Sequence, residues 1–335
     1  MKIVFFEAED WEKEKISNYL RGHDILLFKE PLDNKNIKKV KEAEILVVFI
    51  YSSITKDIID MLPHLKFIAS MSTGYDHIDI EYCNKKGIKV SNVPRYGENT
   101  VAEHTFALIL ALARKLYSSI KRTHEQHSFE TDSSLRGFDL KDKVLGVIGC
   151  GNIGKHVVRI GIGFEMNVIV FDRHPEKELA KNLGFKYVSF DTLIKQSDII
   201  TLHIPYNKET HHLLNEHTIA KMKNGVIIIN TSRGGIIDTH ALVKGLNNKK
   251  ISAAALDVLE DECEIKEEKA VLSHIFKKTC DLQTLLEEHI LMKMDNVIIT
   301  PHNAFNSNEA LERILLTTLE SINSFVKKKP INLVN

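Results

Sequence analysis

The sequence is poor in cysteine and in long apolar runs and carries no net charge, and each shortage excludes a class of protein. It has four cysteines in 335 residues, none of them in a C-x-x-C pair. This argues against a disulfide framework and favours free thiols in a reducing cytoplasm. The longest strongly apolar helical stretch, 105–113, is too short to cross a bilayer. A formal charge of zero gives no indication of a nucleic-acid or membrane partner.

A signal peptide and a metal centre are also not expected. The apolar start of the chain runs at once into Glu7 and Glu9, which is not the pattern of a secretory leader. Sixteen histidines raise the question of a metal, and His124 and His127 lie three residues apart. No carboxylate or thiol completes a ligand set, so we expect no functional metal. With 43% hydrophobic and 27% charged residues, the chain is globular and long enough for two domains.

The most informative stretch is a glycine-rich turn between two apolar runs. Residues 144–148 form an apolar run of the length of a buried strand and lead directly into Gly149-Cys150-Gly151-Asn152-Ile153-Gly154. A helical stretch follows, and a second apolar run, 168–171, ends on Asp172. This strand–turn–helix–strand context is what makes a G-x-G-x-x-G pattern meaningful. The stretch therefore predicts a dinucleotide site, whereas the glycines alone would be compatible with an ordinary turn.

Each glycine of the motif has a physical role in that prediction. Gly149 permits the tight turn, Gly151 lets the backbone approach a pyrophosphate, and Gly154 lets the helix pack closely on the strand. The helix N-terminus, which includes Asn152 and Ile153, presents free N–H groups and a positive dipole end to the phosphates.

The acidic residue after the second strand indicates which dinucleotide binds. Asp172 lies 18 residues after Gly154, where its carboxylate can accept hydrogen bonds from the adenine ribose hydroxyls. The same charge would repel a 2′-phosphate, so NAD is predicted rather than NADP. Arg173, the next residue, weakens this preference slightly because a guanidinium attracts phosphate.

Strand-like and helix-like segments alternate in the first hundred residues and again after Asp172, which is typical of parallel sheets with crossover helices. In the first hundred residues no phosphate-type glycine loop occurs, so this part is expected to bind something other than the dinucleotide. The strands predicted there are Ile3–Phe6, Ile25–Phe28, Ile45–Ile50, Phe67–Ser70 and Lys89–Ser91. The strands predicted after Asp172 are Tyr187–Phe190, Asp198–Ile204, Val226–Asn230, Ile251–Val258 and Val297–Thr300.

Three further segments set the expected domain organisation. An apolar linking helix is predicted over 99–120, and the charged stretch 261–295 is predicted to be a loop-and-helix insertion. The last helix, 308–327, has no place left in the nucleotide sheet and is expected to return to the first domain. We therefore predict an α/β protein with two doubly wound parallel-sheet domains, spanning 1–98 together with 303–335, and 99–302.

Unusual polar groups follow three strands of the second predicted domain. They lie in the segments 230–235, 257–262 and 300–303 and include Arg233 and His302. In an open parallel sheet, ligands bind beyond the carboxyl ends of the strands. An arginine, a carboxylate and a histidine are therefore expected to converge beside a nicotinamide.

The chemistry of these three groups is complementary. A guanidinium pairs with a substrate carboxylate and polarises a neighbouring carbonyl, while a histidine moves a proton near neutral pH and a carboxylate beside it raises its pKa. This set fits interconversion of a 2-hydroxy acid and a 2-keto acid. Other roles stay open at this point: Arg233 could bind only cofactor, Glu262 could be one more solvated charge, and His302 could be a strand-end cap.

These segments and their order resemble the D-2-hydroxyacid dehydrogenase family over nearly the whole chain, and most closely its D-lactate dehydrogenase branch. Besides the glycine motif, the resemblance is carried by Gly74-Tyr75-Asp76-His77-Ile78-Asp79, Asn92-Val93-Pro94, Val101-Ala102-Glu103-His104, Asn230-Thr231-Ser232-Arg233-Gly234 and Thr300-Pro301-His302. It implies a Rossmann-type NAD domain inserted into a flavodoxin-like substrate domain, closure between the two, and a homodimer built around the nucleotide domains.

The resemblance also implies roles for individual residues. Arg233 would bind the substrate's carboxylate and carbonyl, His302 would be the general acid/base, and Glu262 would be its partner. Three consecutive carboxylates lie in one turn here, Glu260, Asp261 and Glu262. The family's spacing from the arginine selects Glu262 as the partner of His302, whereas Asp257 matches the position near the nicotinamide amide. In the more common family pattern the glutamate precedes proline, but here Glu262 precedes Cys263 and an insertion, as in the lactate branch.

Further positions follow from the same resemblance. Backbone amides around Ser72, Thr73 and Gly74 are expected to hold the substrate carboxylate, and Tyr96 matches an active-site aromatic. Weaker pocket candidates, which could equally be packing residues, are Tyr51 and Phe305. The remaining positions expected at the cofactor are His203, Pro205, Thr210, Thr231 and Ser232.

The sequence thus predicts an NAD-dependent enzyme that interconverts a D-2-hydroxy acid and its 2-keto acid, with a lactate- or pyruvate-like substrate. Two alternatives stay open. One is hydride transfer on glycerate, phosphoglycerate or another small acid; formate is disfavoured because that branch has a glutamine where Glu262 stands. The other is a non-enzymatic NAD-responsive binding protein, since relatives of this fold include transcriptional corepressors.

Overall fold

The structure, a computed structural model, describes residues 1–33, 35–260 and 281–335. The chain divides into two compact units. Unit 1 comprises residues 1–96 and 306–335, and unit 2 comprises residues 97–305. Among the described residues, no helix combines the length and apolarity that a membrane span requires.

Unit 1 is built on a five-stranded parallel sheet with the order β2-β1-β3-β4-β5. Its strands are β1 Lys2–Phe5, β2 Asp24–Leu27, β3 Ile45–Val48, β4 Phe67–Ser70 and β5 Lys89–Ser91. Its helices are α1 Glu12–Tyr19, α2 Lys56–Asp60, α3 Ile80–Lys86 and α12 Asn308–Val326, with a 3-10 turn at Ile37–Lys39. Strands β3 and β4 are buried along their whole length, which explains why they are continuous apolar runs.

The carboxy-terminal segment is part of unit 1. Helix α12 packs on β4, where the rings of Phe325 and Phe67 stack with their centroids 4.3 Å apart. Beyond the helix, Leu333 forms an antiparallel bridge with Ser91, and the Val334 N–H donates to Val90 O. The end of the chain therefore lies along the edge strand of the first sheet.

Unit 2 is built on a seven-stranded parallel sheet with the order β12-β11-β10-β9-β6-β7-β8. Its strands are β6 Val144–Ile148, β7 Asn167–Phe171, β8 Lys186–Tyr187, β9 Ile199–Leu202, β10 Val226–Asn230, β11 Ile251–Leu256 and β12 Val297–Ile299. Its helices are α4 Glu98–Ala113, α5 Leu116–His124, α6 Gly154–Gly163, α7 Lys177–Leu183, α8 Phe190–Gln196, α9 Glu216–Lys221, α10 Thr239–Asn247 and α11 Leu282–Lys293, with 3-10 turns at Ser133–Leu135 and Gly234–Ile236.

The strand orders confirm the predicted fold class. In unit 2 the order reverses at β6, so the two halves of the sheet run outward from β6 and β9 as in a dinucleotide-binding fold. In unit 1 the order is that of the flavodoxin-like class. Two apolar clusters, one on each face of the second sheet, and a further cluster in unit 1 form the cores.

Two local predictions were wrong. The single helix expected over 99–120 is two helices, because Lys115 adopts a left-handed conformation between α4 and α5. The carbonyl of Ala113 accepts from the Phe138 N–H at 2.9 Å, so a later segment takes the place of the next helical turn. The strand expected over 187–190 ends at Tyr187, because the Ser189 side chain caps helix α8.

Candidate active site

Three neighbouring strands of unit 2 end in register, and the predicted catalytic segments follow them. Asn230, Leu256 and Ile299 are Cα partners on β10, β11 and β12. Arg233 and His302 each lie three residues beyond a strand end, and β11 separates their strands. With a strand spacing of about 4.8 Å, these loops leave the sheet at points roughly 10 Å apart. The topology therefore brings the two segments to one edge of one sheet.

The glycine turn has the close packing that its glycines require. Gly149 has φ +95°, and a Cβ there would lie 2.5 Å from His203 O. A Cβ on Gly154 would lie 2.0 Å from Gly149 O, so helix α6 can start this close to the turn only with glycine. A Cβ on Gly151, in contrast, would meet no heavy atom within 4 Å. Gly149 and Gly154 thus determine the shape of the turn, and Gly151 leaves one side of it open.

The carboxylate of Asp172 lies beside this turn. Its Oδ2 accepts from the Cys150 N–H at 2.7 Å, and its Oδ1 accepts from the His174 N–H at 2.8 Å. Each oxygen keeps a lone pair that can accept a hydroxyl. Arg173 forms an ion pair with Glu209, so its charge is balanced within the protein. An open glycine turn at a helix start, with a carboxylate next to it, fits the phosphates and ribose of NAD.

The segment after β9 closes the other side of the turn. The Nε2 of His203 lies 2.9 Å from Thr201 Oγ1, and burial lowers the pKa of His203 to about 3, so the imidazole is neutral. Pro205 is exposed, and its carbonyl accepts from Thr210 Oγ1 at 2.8 Å. The Thr210 hydroxyl also accepts from the Asn207 N–H, so it holds the turn 205–210 together.

Residues after β10 are held by bonds within the loop and from its neighbours. The hydroxyl of Thr231 lies 3.0 Å from that of Thr105 on α4, and Ser232 Oγ donates to Ile204 O. Arg233 Nη1 donates to Ser232 O at 2.8 Å, and its side chain is half-buried. A Cβ on Gly234 would lie 1.8 Å from Leu259 O, so the loops after β10 and β11 are in direct contact here.

Asp257 is the hub of the neighbouring loop. Its side chain is 1% exposed, and it accepts from Thr300 Oγ1 and from the N–H groups of Asn303 and Ala304, both at 2.8 Å. His104 Nε2 lies 3.4 Å away. Burial raises the pKa of Asp257, but these donors outweigh burial and hold it below its ordinary value. A charged carboxylate therefore organises the loop that carries His302.

His302 adopts a left-handed backbone conformation with φ +48°. Its N–H donates to Asp257 O and Thr300 O, both at 2.9 Å, which offsets the cost of this conformation. The side chain is half-buried. The bond to Asp257 O and the donors on the Asp257 carboxylate together make the loop a closed turn.

Of the three crowded carboxylates, only Glu260 is among the described residues. It pairs with His212 Nε2 and accepts from the Thr239 N–H at 3.0 Å and from Thr239 Oγ1 at 2.6 Å. Glu260 therefore connects the segment after β11 to the start of α10 through hydrogen bonds. Glu262, the predicted partner of His302, lies outside the described residues, as do positions 261–280 generally. Within the described part of the chain, no His, Cys, Asp and Glu side chains are grouped in a way that could hold a metal.

In unit 1, the predicted substrate loop lies at the carboxyl end of β4. Ser72 Oγ donates to Gly74 O at 2.6 Å, and Thr73 Oγ1 donates to Val93 O at 2.7 Å. Asn92 Nδ2 donates to Thr73 O at 2.8 Å. The Asn-Val-Pro motif after β5 thus holds the shape of this loop.

The three aromatic pocket candidates follow different elements. Tyr51 lies after β3 and is 66% exposed, and its N–H donates to Glu7 Oε2 at 3.0 Å. Tyr96 follows β5, and its carbonyl accepts from Arg313 Nε at 2.7 Å. Phe305 is the last residue of unit 2 and is half-buried.

Two residues that contact loops of the candidate site were not predicted from the sequence. His104 is the last residue of a stretch used above only as a family motif, and Thr105 begins the apolar stretch 105–113, yet they contact the loops of His302 and Thr231 respectively. The available signal was that two adjacent polar residues directly precede the apolar run 106–113 of this helix. The hub role of Asp257 had no such signal, because it is created by three donors of the segment after β12 and by His104 on α4, all distant in sequence.

Comparison with known proteins places this architecture in one family. Residues 106–304 match the model of the D-isomer specific 2-hydroxyacid dehydrogenase NAD binding domain. The chain is 35% identical to glyoxylate reductase of Thermococcus litoralis, covering 100% of this chain and 97% of that one. It is 32% identical to D-lactate dehydrogenase of Escherichia coli, covering 98% and 97%.

A solved structure extends the similarity to three dimensions. The D-lactate dehydrogenase from Aquifex aeolicus, complexed with NAD and lactic acid, is 38% identical to this chain. The two align with a TM-score of 0.86 over 99% of this chain and 98% of the other. The chain belongs to the D-isomer specific 2-hydroxyacid dehydrogenase family and is an NAD-dependent oxidoreductase.

Proposed function

We propose that this enzyme interconverts D-lactate and pyruvate, or a slightly larger apolar homologue of that pair. The observation that carries the proposal is the placement of Arg233 and His302 beyond in-register strand ends on either side of the Asp257 loop. Full-length similarity to two D-lactate dehydrogenases supports the choice of substrate. Similarity to a glyoxylate reductase of comparable coverage makes glyoxylate the second candidate.

In this proposal Arg233 binds the substrate. A guanidinium offers a planar fork of donors that matches a carboxylate and can also polarise the adjacent C2 carbonyl. The bond from Asn230 Nδ2 to Arg233 O and the bond from Arg233 Nη1 to Ser232 O orient the residue within its loop. We propose that the amides of 72–74 in unit 1 are a second binding group for the carboxylate.

His302 is proposed as the general acid/base. In the reducing direction its imidazolium donates a proton to the oxygen on C2, and in the oxidising direction the imidazole removes it. We propose Glu262 as the carboxylate that favours the imidazolium. When bound, NAD supplies the hydride chemistry. The Asp257 turn is proposed to keep the imidazole in reach of the substrate.

The proposed cofactor contacts come from the glycine turn and its neighbours. Backbone N–H groups of 151–154 would hold the pyrophosphate, and Asp172 the ribose hydroxyls. The segment 203–205 would form a wall for the adenine. Thr231, Ser232 and Asp257 are proposed near the nicotinamide, while Thr210 shapes its own turn. The ion pair between Arg173 and Glu209 supports a preference for NAD over NADP.

We propose that unit 1 is the substrate domain and unit 2 the NAD domain, and that Tyr51, Tyr96 and Phe305 contribute to the substrate pocket. The carboxyl edge of the unit 1 sheet, with its pinned 72–74 loop, supports the first part of this division. The open glycine turn supports the second. The cytoplasm is the compartment we propose, because Cys83 and Cys150 are free and buried.

A homodimer is proposed from an apolar surface on unit 2. Within the described residues, Leu116, Tyr117, Ile120 and Phe129 are 46%, 55%, 56% and 98% exposed. Covering such side chains with a second copy would remove apolar area from water. Light scattering should give twice the chain mass, and Phe129→Asp should shift it towards the monomer. If light scattering gave the mass of a single chain for the native protein, this would contradict the proposal.

The substrate proposal is tested by NADH oxidation with pyruvate, phenylpyruvate, 2-ketoisocaproate, hydroxypyruvate and glyoxylate, each repeated with NADPH. We expect the highest kcat/KM with pyruvate or 2-ketoisocaproate and with NADH. His302→Ala should lower kcat about 10²–10⁴-fold while NADH affinity stays within a few fold. His217→Ala, on the exposed face of α9, is the matched control. Retained turnover in His302→Ala would exclude the acid/base role, and highest activity with glyoxylate would select the second candidate.

A further inference from the structure

One turn of α4 contacts two loops of the active-site edge through consecutive residues. His104 Nε2 lies 3.2 Å from Thr300 Oγ1 and 3.4 Å from Asp257 Oδ1. The next residue, Thr105, has its hydroxyl 3.0 Å from that of Thr231. Nine of the 16 residues of helix α4 are buried, several of them in an apolar cluster of unit 2, so the helix provides a rigid support for both loops.

Counting hydrogens determines which atom donates in the His104 contact. A threonine hydroxyl has one hydrogen, and Thr300 gives it to the Asp257 carboxylate. The Thr300 oxygen can then only accept from His104, so the proton must be on His104 Nε2. The Asp257 carboxylate, which can only accept, lies 3.4 Å from the same nitrogen. His104 therefore acts as a donor towards the Thr300–Asp257 pair.

The bonds downstream connect this donor to His302. The Asp257 carboxylate also accepts from the Asn303 and Ala304 N–H groups, and the Asp257 carbonyl accepts from the His302 N–H. These hydrogen bonds hold the His302 backbone in a left-handed conformation, which is strained and persists only because the surrounding contacts fix it. A shift of Thr300 or Asp257 would therefore move the His302 backbone.

We propose that His104 is a positioning residue for the acid/base histidine, acting through Thr300 and Asp257. This inference rests on the proposed function, in which His302 moves the proton. The side chain of His104 is 20% exposed and its Nε2 points to the loop, so its described contacts hold the loop and do not fill a core. A displacement of about 1 Å at a catalytic group is enough to reduce turnover substantially.

The test compares two substitutions at this position in the holoenzyme. His104→Leu keeps most of the volume but removes the donor, whereas His104→Gln places an amide N–H near the original Nε2. We expect His104→Leu to lower kcat about 10–100-fold with little change in KM or in NADH affinity. His104→Gln should restore kcat to within a few fold of the native enzyme. His217→Leu is the matched control for a histidine replaced by leucine.

Thr105→Val serves as a comparison on the neighbouring loop. It removes the hydroxyl that faces Thr231, in the loop of the substrate-binding arginine, so we expect a higher KM for the keto acid and a smaller change in kcat. If both variants instead lowered kcat equally with unchanged KM, the effect would be general loosening of α4 and the proposal would be overturned. Equal damage by His104→Leu and His104→Gln would overturn it too.

A double variant separates this inference from the proposed function. If His104 acts through His302, His104→Leu should cost almost nothing further in a His302→Ala background. If His104→Leu lowered kcat as much in the His302→Ala background as in the native enzyme, His104 would not act by positioning His302. If His302→Ala itself retained turnover, the acid/base role would fail first. If His302→Ala collapsed turnover and His104→Leu did not, only the inference about His104 would be wrong.

Discussion

Replacing Glu12 by glutamine should make the stability of unit 1 less dependent on pH. Glu12 begins helix α1, and the residue is 4% exposed. Its Oε2 accepts from the Glu9 N–H at 2.7 Å, a bond that a glutamine oxygen can keep. Burial raises the pKa of Glu12 from 4.5 to about 7, and the nearby Glu9 carboxylate acts in the same direction against the smaller effect of the backbone bond.

The sign and size of the effect follow from linkage. A carboxyl with a raised pKa in the folded state favours folding when it is protonated, so its contribution is complete below pH 4.5 and is lost as pH rises to about 7. Each pH unit in that window costs about 1.4 kcal/mol, so the whole shift costs about 3 kcal/mol. The neutral glutamine does not incur this cost. Glu12→Gln should therefore be more stable than the native protein by up to about 3 kcal/mol at pH 8 and by almost nothing at pH 4.5.

The measurement is urea unfolding followed by tryptophan fluorescence. Trp11 is the only tryptophan of the chain and precedes Glu12 directly, so its signal reports unfolding of unit 1. Midpoints of Glu12→Gln and of the native protein should diverge between pH 4.5 and 8, with unchanged m-values. Glu14→Gln, an exposed position on the same helix, is the control and should track the native protein. A constant difference between Glu12→Gln and the native protein across this range would show that Glu12 does not have a raised pKa in the folded state.

Further predictions concern the proposed cofactor contacts and the loop of Asp257. Gly154→Ala should weaken NADH binding at least about tenfold in a fluorescence titration and lower the melting temperature, because its Cβ would clash with Gly149 O. Gly151→Ala meets no protein atom within 4 Å, so it should weaken NADH binding without changing the melting temperature; normal affinity would contradict phosphate binding at this turn. Asp172→Ser should reduce the NADH-over-NADPH ratio of kcat/KM at least about tenfold, and an unchanged ratio would show that another residue sets it. Asp257→Asn should lower the free energy of unfolding by about 2–3 kcal/mol and reduce kcat, since an amide offers only one acceptor oxygen to its donors; native-like values of both would exclude the hub role.

Part of the site was predictable because its signals are local in sequence. Gly154 needs to be glycine because of its contact with Gly149 O in the same turn, and the strand and helix that flank the turn are adjacent in the chain, whereas the close contact of Gly149 with His203 O is long-range. A local signal also marks Asp172, which ends the next strand and bonds to the turn. The error in the linking helix has a different origin. The helix expected to continue to residue 120 stops because Phe138, far along the chain, takes the Ala113 carbonyl.

Most strands and the glycine turn were predictable from the sequence, because apolar runs and glycine spacing carry their own physical constraints. The sequence also determined which side chains were candidates for the chemistry, through residue type and the position after a strand. The contacts between distant segments come from the tertiary structure alone: Asp257 accepts from the segment after β12 and lies beside His104 of α4, and Glu260 bonds to His212 and Thr239. These contacts join residues that are far apart along the chain, and a hydrogen bond depends on distance in space, which sequence spacing does not encode.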